Sequence, residues 1–246
     1  MKPIILFFED HRDPIAKEIL SQILSALQAF QVNTIGLEID RDTSIESHQA
    51  ALLHYCKLWS KMNSLSIEEK DKILGSVSIE RRDEFQQNIS YLPARKAELG
   101  LILRAKLMEE PIKIEGFDLN LGEIRTLLPH QQLLAARSMQ VDREKAMIHN
   151  LMELNAQSGV VAILGLSHYD VANQLKQQGH HVVCFLPVSI EHEEGICREY
   201  LDKIKRHDAT VRELILLDKR VNSMSEILQI IASSIEPEPA IVPSMR

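Results

Sequence analysis

Two histidines and two glutamates, each at or just past the end of a short apolar run, give this chain a set of side chains able to manage a proton or a metal ion. Glu9 and His11 follow IILFF, Glu38 follows TIGL, and His168 follows VVAILGLS. Glu9 and His11 are two apart, so in an extended segment their side chains project to one side. Two imidazoles and two carboxylates make a mixed nitrogen and oxygen shell suited to Zn²⁺, Mn²⁺ or Co²⁺, with a position left for water. Such a metal brings the pKa of bound water to roughly 7 and polarises a carbonyl, which is the route to hydrolysis. Without metal, His11 or His168 serves as general base on a water, oriented by a glutamate, with Arg143 stabilising the developing oxyanion. The same residues serve both mechanisms, and both stay open. Each also has a structural alternative: a histidine satisfied within its loop, and a Glu38 that pairs with Arg143 or receives helix amides.

These side chains converge only if the apolar runs are parallel strands of one sheet, whose carboxyl ends then share the edge where open α/β sheets bind ligands. The runs are brief, rich in Ile, Val, Leu and Phe, and separated by longer helical patterns. Between the first two, Ile15, Ile19, Ile23, Leu24, Leu27 and Phe30 share a helical face, which makes a βαβ unit. Further strands are expected at IKIEGF before Asp118, at HHVVCFLPV and within LILLD. The expected fold is α/β: a mostly parallel central sheet flanked by helices, with a helical insertion after the second strand.

That insertion covers about 43–110. Ile45, Leu52, Cys56, Trp59 and Met62 form a stripe, Ser66 and Glu69 form a capping box, and Ala94 to Glu110 is a third amphipathic stretch. It leaves the sheet at the carboxyl edge, so it is either a lid or wall over the site, or additional core. After a break at Pro129, a helix is expected from about Asp142 to Gln157. Because it precedes a strand, its beginning lies at the carboxyl edge. Arg143 sits there, in line with Met147 and Leu151, opposing the helix dipole; it needs a carboxylate from Glu9, Glu38 or Asp118, or its stem covers apolar surface while its head reaches water. Asp118 otherwise reads as a turn or cap aspartate before Leu119, and the acids of Glu191-His192-Glu193-Glu194 as residues favoured at a helix start. The chain reads as one domain over 1–235 with a loose tail, EPEPAIVPSMR, over 236–246.

Composition narrows the function classes. A chain of 246 residues with 45% hydrophobic content can bury a full core. A net charge of −7 and basic clusters without interleaved aromatics argue against nucleic acid as partner. Cys56, Cys184 and Cys197 are an odd count in no ligand spacing, which suits reduced thiols in a cytoplasmic protein. The apolar start MKPIILFF is too short for a signal-peptide core or a membrane span, so no membrane partner is expected. GLSHY approaches the nucleophile-elbow pattern and departs from it at Tyr169, which leaves Ser167 as a loop hydroxyl or helix cap.

FFEDH at 7–11, GLEI at 36–39, DREKAM at 142–147 and GLSH at 165–168, in that order, resemble the group that includes the TraB and ChaN proteins, the Tiki proteases and the erythromycin esterases. The resemblance covers the sheet-forming portions and omits the helical insert. It implies a metal-dependent peptidase, an esterase or a haem-handling protein. The group usually has Gly where this chain has Phe8, which implies either an ordinary extended backbone or a partly blocked site. Three functions follow: hydrolysis of an ester or amide bond in a small molecule or peptide; non-catalytic ligand binding, with haem as the candidate ligand and Tyr169 as a candidate iron ligand; and protein interaction through the insert.

Overall fold

The alternation of apolar runs and amphipathic stretches folds into strands and helices in the order β1 (Ile4–Glu9), α1 (Ile15–Ala29), β2 (Val32–Asp40), α2 (Ile45–Asn63), α3 (Ile67–Gly75), α4 (Ile79–Lys106), β3 (Lys113–Asp118), α5 (Gln140–Gln157), β4 (Gly159–Gly165), α6 (Tyr169–Gln177), β5 (Val182–Pro187), β6 (Arg212–Leu214), β7 (Leu216–Leu217), β8 (Arg220–Val221) and α7 (Met224–Ile235). This computed structural model describes residues 2–75, 77–120, 135, 138–187, 212–214, 216–217, 220–221 and 224–235. The expected break at Pro129, the acids at 191–194 and the tail at 236–246 lie outside the described residues.

The sheet runs β3-β2-β4-β1-β5-β6, and every neighbouring pair is parallel. Its connections explain the layers. The paths from β1 to β2 and from β2 to β3 travel one way across the sheet, whereas those from β3 to β4 and from β4 to β5 travel the other. Crossovers of one hand must then place their helices on opposite faces. Ile19, Leu20, Ile23 and Leu27 of α1 and Leu101 and Ile102 of α4 pack with Ile5 and Phe7 on one face. Met147 and Leu151 of α5 and Val171 and Leu175 of α6 pack with Ile4, Leu6 and Phe8 on the other. β4 therefore lies between two strands whose connections leave to one face, while its own leaves to the opposite face. Such a divergence opens a crevice at the carboxyl ends of the strands.

Several local expectations differ in detail. The stretch expected from Ala94 belongs to a longer helix that begins at Ile79 and runs through Pro93. Its first half is mostly polar, with Phe85 and Leu92 as its buried apolar anchors, so it shows no stripe in the sequence. The expected strand in LILLD is divided: Leu214 ends the edge strand β6, and Leu216–Leu217 pairs antiparallel with β8. Phe8 is an ordinary strand residue, paired with Leu164 and buried in the core. The capping box forms as read, with the Ser66 amide donating to Glu69 at 2.8 Å and the Glu69 amide to the Ser66 hydroxyl at 3.2 Å. No helix among the described residues is long and apolar enough to cross a membrane.

Candidate active site at the carboxyl edge

Glu38 is the point on which the site is built. It is set by an irregularity in β2: Leu37 pairs with Gly116 and Asp40 with Asp118, so Glu38 and Ile39 together oppose Phe117 alone. An extra residue of this kind bends a strand and re-aims a side chain. Gly116 makes room for it, because a Cβ there would stand 2.5 Å from the Asp40 carbonyl oxygen. Glu38 then accepts the Gly165 amide at 2.7 Å and the Arg143 guanidinium at 3.0 Å, and lies 3.3 Å from Nε2 of His168.

His11 reaches the same carboxylate from the other side. β1 ends at Glu9 and the chain turns at His11 and Arg12, so the turn, rather than strand alternation, brings His11 Nδ1 to 3.3 Å from Glu9 Oε1. Its Nε2 lies 3.7 Å from Glu38 Oε1. β4 separates β1 from β2, so the two residues meet only across the end of β4, where Gly165 stands. A Cβ on Gly165 would come within 2.6 Å of His11 Nε2 and 3.1 Å of Glu38 Oε2. Gly165→Ala is therefore expected to push His11 away from Glu38 and return the imidazole pKa toward 6.5 in an NMR titration; an unchanged His11 titration would show that the close approach is dispensable.

Three of the partners were not read from the sequence. Lys17, buried on α1, donates to both Glu9 oxygens, at 2.5 Å to Oε2. Gln140 at the start of α5 donates to Glu144 at 2.6 Å and lies 2.9 Å from His168 Nδ1, and Glu144 lies 3.4 Å from the same nitrogen. Arg143 does pair with a strand-end carboxylate as expected, but with Glu38 and Asp118, the latter at 2.5 Å, and not with Glu9, which Lys17 occupies. Asp118 also plays its bland role, accepting the Leu119 amide at 2.7 Å.

The electrostatics follow from these contacts. Burial alone would raise the Glu38 pKa, yet His11, His168 and Arg143 hold it far below the usual carboxylate range. Burial alone would lower His168, but its contacts with Glu144 and Glu38 lift it to about 9, so it is an imidazolium at neutral pH. His11 is likewise raised above 6.5: desolvation opposes its charge, and Glu38 and Glu9 outweigh it. Arg143 is raised by Asp118 and Glu38 against desolvation.

Exposure separates the roles. His168 is 1% exposed, whereas the His11 side chain is 45% exposed. His11 and Glu9 line two adjoining cavities. One, of 220 Å³, is walled by Lys17, Leu37, Glu38 and Ile163 together with Tyr91, Arg95 and Glu98 of α4. The other, of 320 Å³, is walled by Gln87, Ser90, Tyr91, Leu166 and Ser167 among others. The insert thus forms a wall of both cavities. His168 and Arg143 line neither and act from behind Glu38.

The donor set bears on a metal. Among the described residues no group of three His, Cys, Asp or Glu side chains is arranged to hold an ion. The positive charge a metal would bring to Glu9 and Glu38 is already supplied by Lys17 and Arg143.

No family model matches this chain, and no curated protein matches its sequence. The chain is similar to a solved structure described as "The structure of the type III effector HopBA1", at 11% identity over 75% of this chain and 76% of that one, with a TM-score of 0.36. At that level the likeness carries no conclusion about family or function.

Proposed function

We propose that the protein hydrolyses an ester or amide bond of a small molecule or peptide, with His11 as general base. The observation that carries this reading is the placement of His11: half exposed between two cavities, oriented through Nδ1 by Glu9, and turned through Nε2 toward the end of β4. With Nδ1–H donating to Glu9, the neutral ring presents Nε2 as an acceptor. Nε2 takes a proton from water, and the water oxygen bonds to the substrate carbonyl carbon. Collapse breaks the bond to the alcohol or amine, which leaves with that proton. Lys17 lines the cavity and replaces Arg143 as the donor available to the developing oxyanion, because Arg143 is committed to Glu38 and Asp118. Glu38 and His168 position the end of β4 and do not move protons at neutral pH.

Because the His11 pKa is raised, its base form grows in above pH 6.5, and the acid limb of kcat/KM is expected above that value. A panel of esters and anilides assayed across pH tests the reading. His11→Ala is expected to lower kcat on the order of 10²-fold or more, and Ser167→Ala to retain most activity, since Ser167 lacks the elbow geometry of a nucleophile. No turnover across the panel, or wild-type rates in His11→Ala, replaces this reading with that of a non-catalytic binding protein. A divalent ion is the second reading, favoured by formal charge: with neutral imidazoles, Glu9, Glu38, Asp118 and Glu144 outnumber Lys17 and Arg143 by two. Activity lost to a chelator and restored by Zn²⁺, Mn²⁺ or Co²⁺ selects it.

A further inference from the structure

The smaller cavity is polar on every side, yet its acids and its bases are not in the same condition. Each acid is already engaged, largely by groups that approach from outside the cavity. Glu98 is buried and takes His48 of α2 at 2.6 Å as well as Arg95 at 3.0 Å, and these contacts hold its pKa down to about 2 against the burial that would raise it. Glu38 is engaged by Arg143, His168 and the Gly165 amide, none of which lines this cavity. Both Glu9 oxygens are covered by Lys17.

The donors are the reverse. Arg95 has five N–H groups, of which one hydrogen bond, to Glu98, is found among the described residues, and its side chain is 38% exposed on the cavity wall. The contact with Glu98 fixes the guanidinium at one corner and leaves the rest of its fork facing the wall surface. Lys17 lies deeper with a third N–H beyond the two that Glu9 receives. A ligand that satisfies this lining must bring acceptor oxygens. A carboxylate matches it best, because a planar fork binds it with two parallel charge-assisted hydrogen bonds.

We propose that this cavity is a carboxylate-binding subsite in which Arg95 on the insert helix α4, fixed by Glu98 and His48, receives an anionic group of the substrate. Resting on the hydrolase reading for the reaction itself, the proposal names the substrate class: a monoester or monoamide of a short dicarboxylic acid, held by its free carboxylate in the smaller cavity while the leaving group occupies the larger one. The size agrees. A volume of 220 Å³ accommodates roughly seven water-sized groups at ~30 Å³ each, enough for a short acyl chain and too little for a long one. Arg95 is a specificity residue in this scheme, and Glu98 and His48 are positioning residues.

The test separates binding from turnover. Glutarate and its neutral analogue glutaramide are titrated calorimetrically into the full chain at low ionic strength, with wild type, Arg95→Gln and Arg95→Lys compared after thermal melts establish that each is folded. Arg95 is partly exposed and Glu98 keeps His48, so both variants are expected to fold. Glutarate is expected to bind about 10-fold or more tightly than glutaramide, a preference that Arg95→Gln abolishes and Arg95→Lys retains in part. Glutaryl 4-nitroanilide is then compared with pentanoyl 4-nitroanilide: Arg95→Gln is expected to raise KM for the charged substrate about 10-fold with kcat little changed. Equal binding of the two probes, no binding of glutarate, or full glutarate affinity in Arg95→Gln overturns the subsite. Selective glutarate binding without turnover of either anilide supports the subsite and overturns the hydrolase reading alone.

Discussion

Replacing Arg143 with alanine is expected to destabilise the protein by about 3–5 kcal/mol, the range found when one partner of a buried ion pair is removed and the other is left behind. Two carboxylates are left behind here. The side chains of Arg143, Glu38 and Asp118 are 12%, 9% and 4% exposed, so water recovers little of the lost interaction. The loss is not the net worth of the triad, since forming it required desolvating three charges. Denaturant titrations of Arg143→Ala, Asp118→Asn and the double variant give the coupling, expected at roughly 1 kcal/mol or more for groups in direct contact. Arg143→Lys is expected to recover only part of the loss, because a point charge cannot bridge two carboxylates as the guanidinium fork does. A deficit under about 1 kcal/mol, or strict additivity in the cycle, would mean that solvent already serves these carboxylates.

Stability is also expected to fall on the alkaline side of neutrality, where few proteins of this charge would be troubled. His168 titrates at about 9 in the folded protein against 6.5 when unfolded. A pKa raised by folding contributes stability that is complete below the unfolded value and is lost as pH rises through the folded one. The window is therefore about pH 6.5 to 9, and the amount at stake is about 3 kcal/mol at ~1.4 kcal/mol per unit. His11, raised in the same direction, adds to the slope. Glu38 acts oppositely: its depressed pKa supplies stability above 4.5 that is lost only as pH falls through the strongly acid range. Chemical denaturation of wild type and His168→Gln at intervals between pH 6 and 9 checks this, with a steep decline expected for wild type and a flattened one for the variant. Matching slopes would remove His168 from the account.

The sheet was legible because its signal is redundant. Each strand announces itself by a run of branched apolar residues, and α1 by six apolar positions on one face, so no single residue had to be interpreted correctly. The site was legible at the residues that end strands: Glu9, His11, Glu38 and His168 do meet, together with Arg143. Its cation partners were less so. Arg143 was found because it sits on the apolar stripe of α5 with Met147 and Leu151. The same sign was present three more times. Lys17 stands three and seven before Leu20 and Leu24; Glu144 stands four and seven before Ile148 and Leu151; Glu98 stands three and four before Leu101 and Ile102. All three are buried, and all three serve the site or its wall. Which carboxylate each cation takes depends on the depth of its helix against the sheet, a tertiary quantity with no local trace. That is why Arg143 could be matched to Glu38 or Glu9 in the sequence while the fold gives it Glu38 and Asp118. The first half of α4 escaped notice for a similar reason, since a polar helix held by two widely spaced apolar residues leaves no period to read.

The mismatch of two residues in β2 against one in β3 carries a consequence for lineage. An unpaired residue costs the ladder regularity and is retained only while something depends on where Glu38 points. Among descendants of this chain, those that abandon the site lose the reason to keep it, and deletion of one residue at 38 or 39 would restore an even ladder beside Gly116 while leaving the core strands undisturbed. A one-position gap there is therefore the mark by which a relative that has shed the chemistry can be told from one that has kept it, before any assay is run.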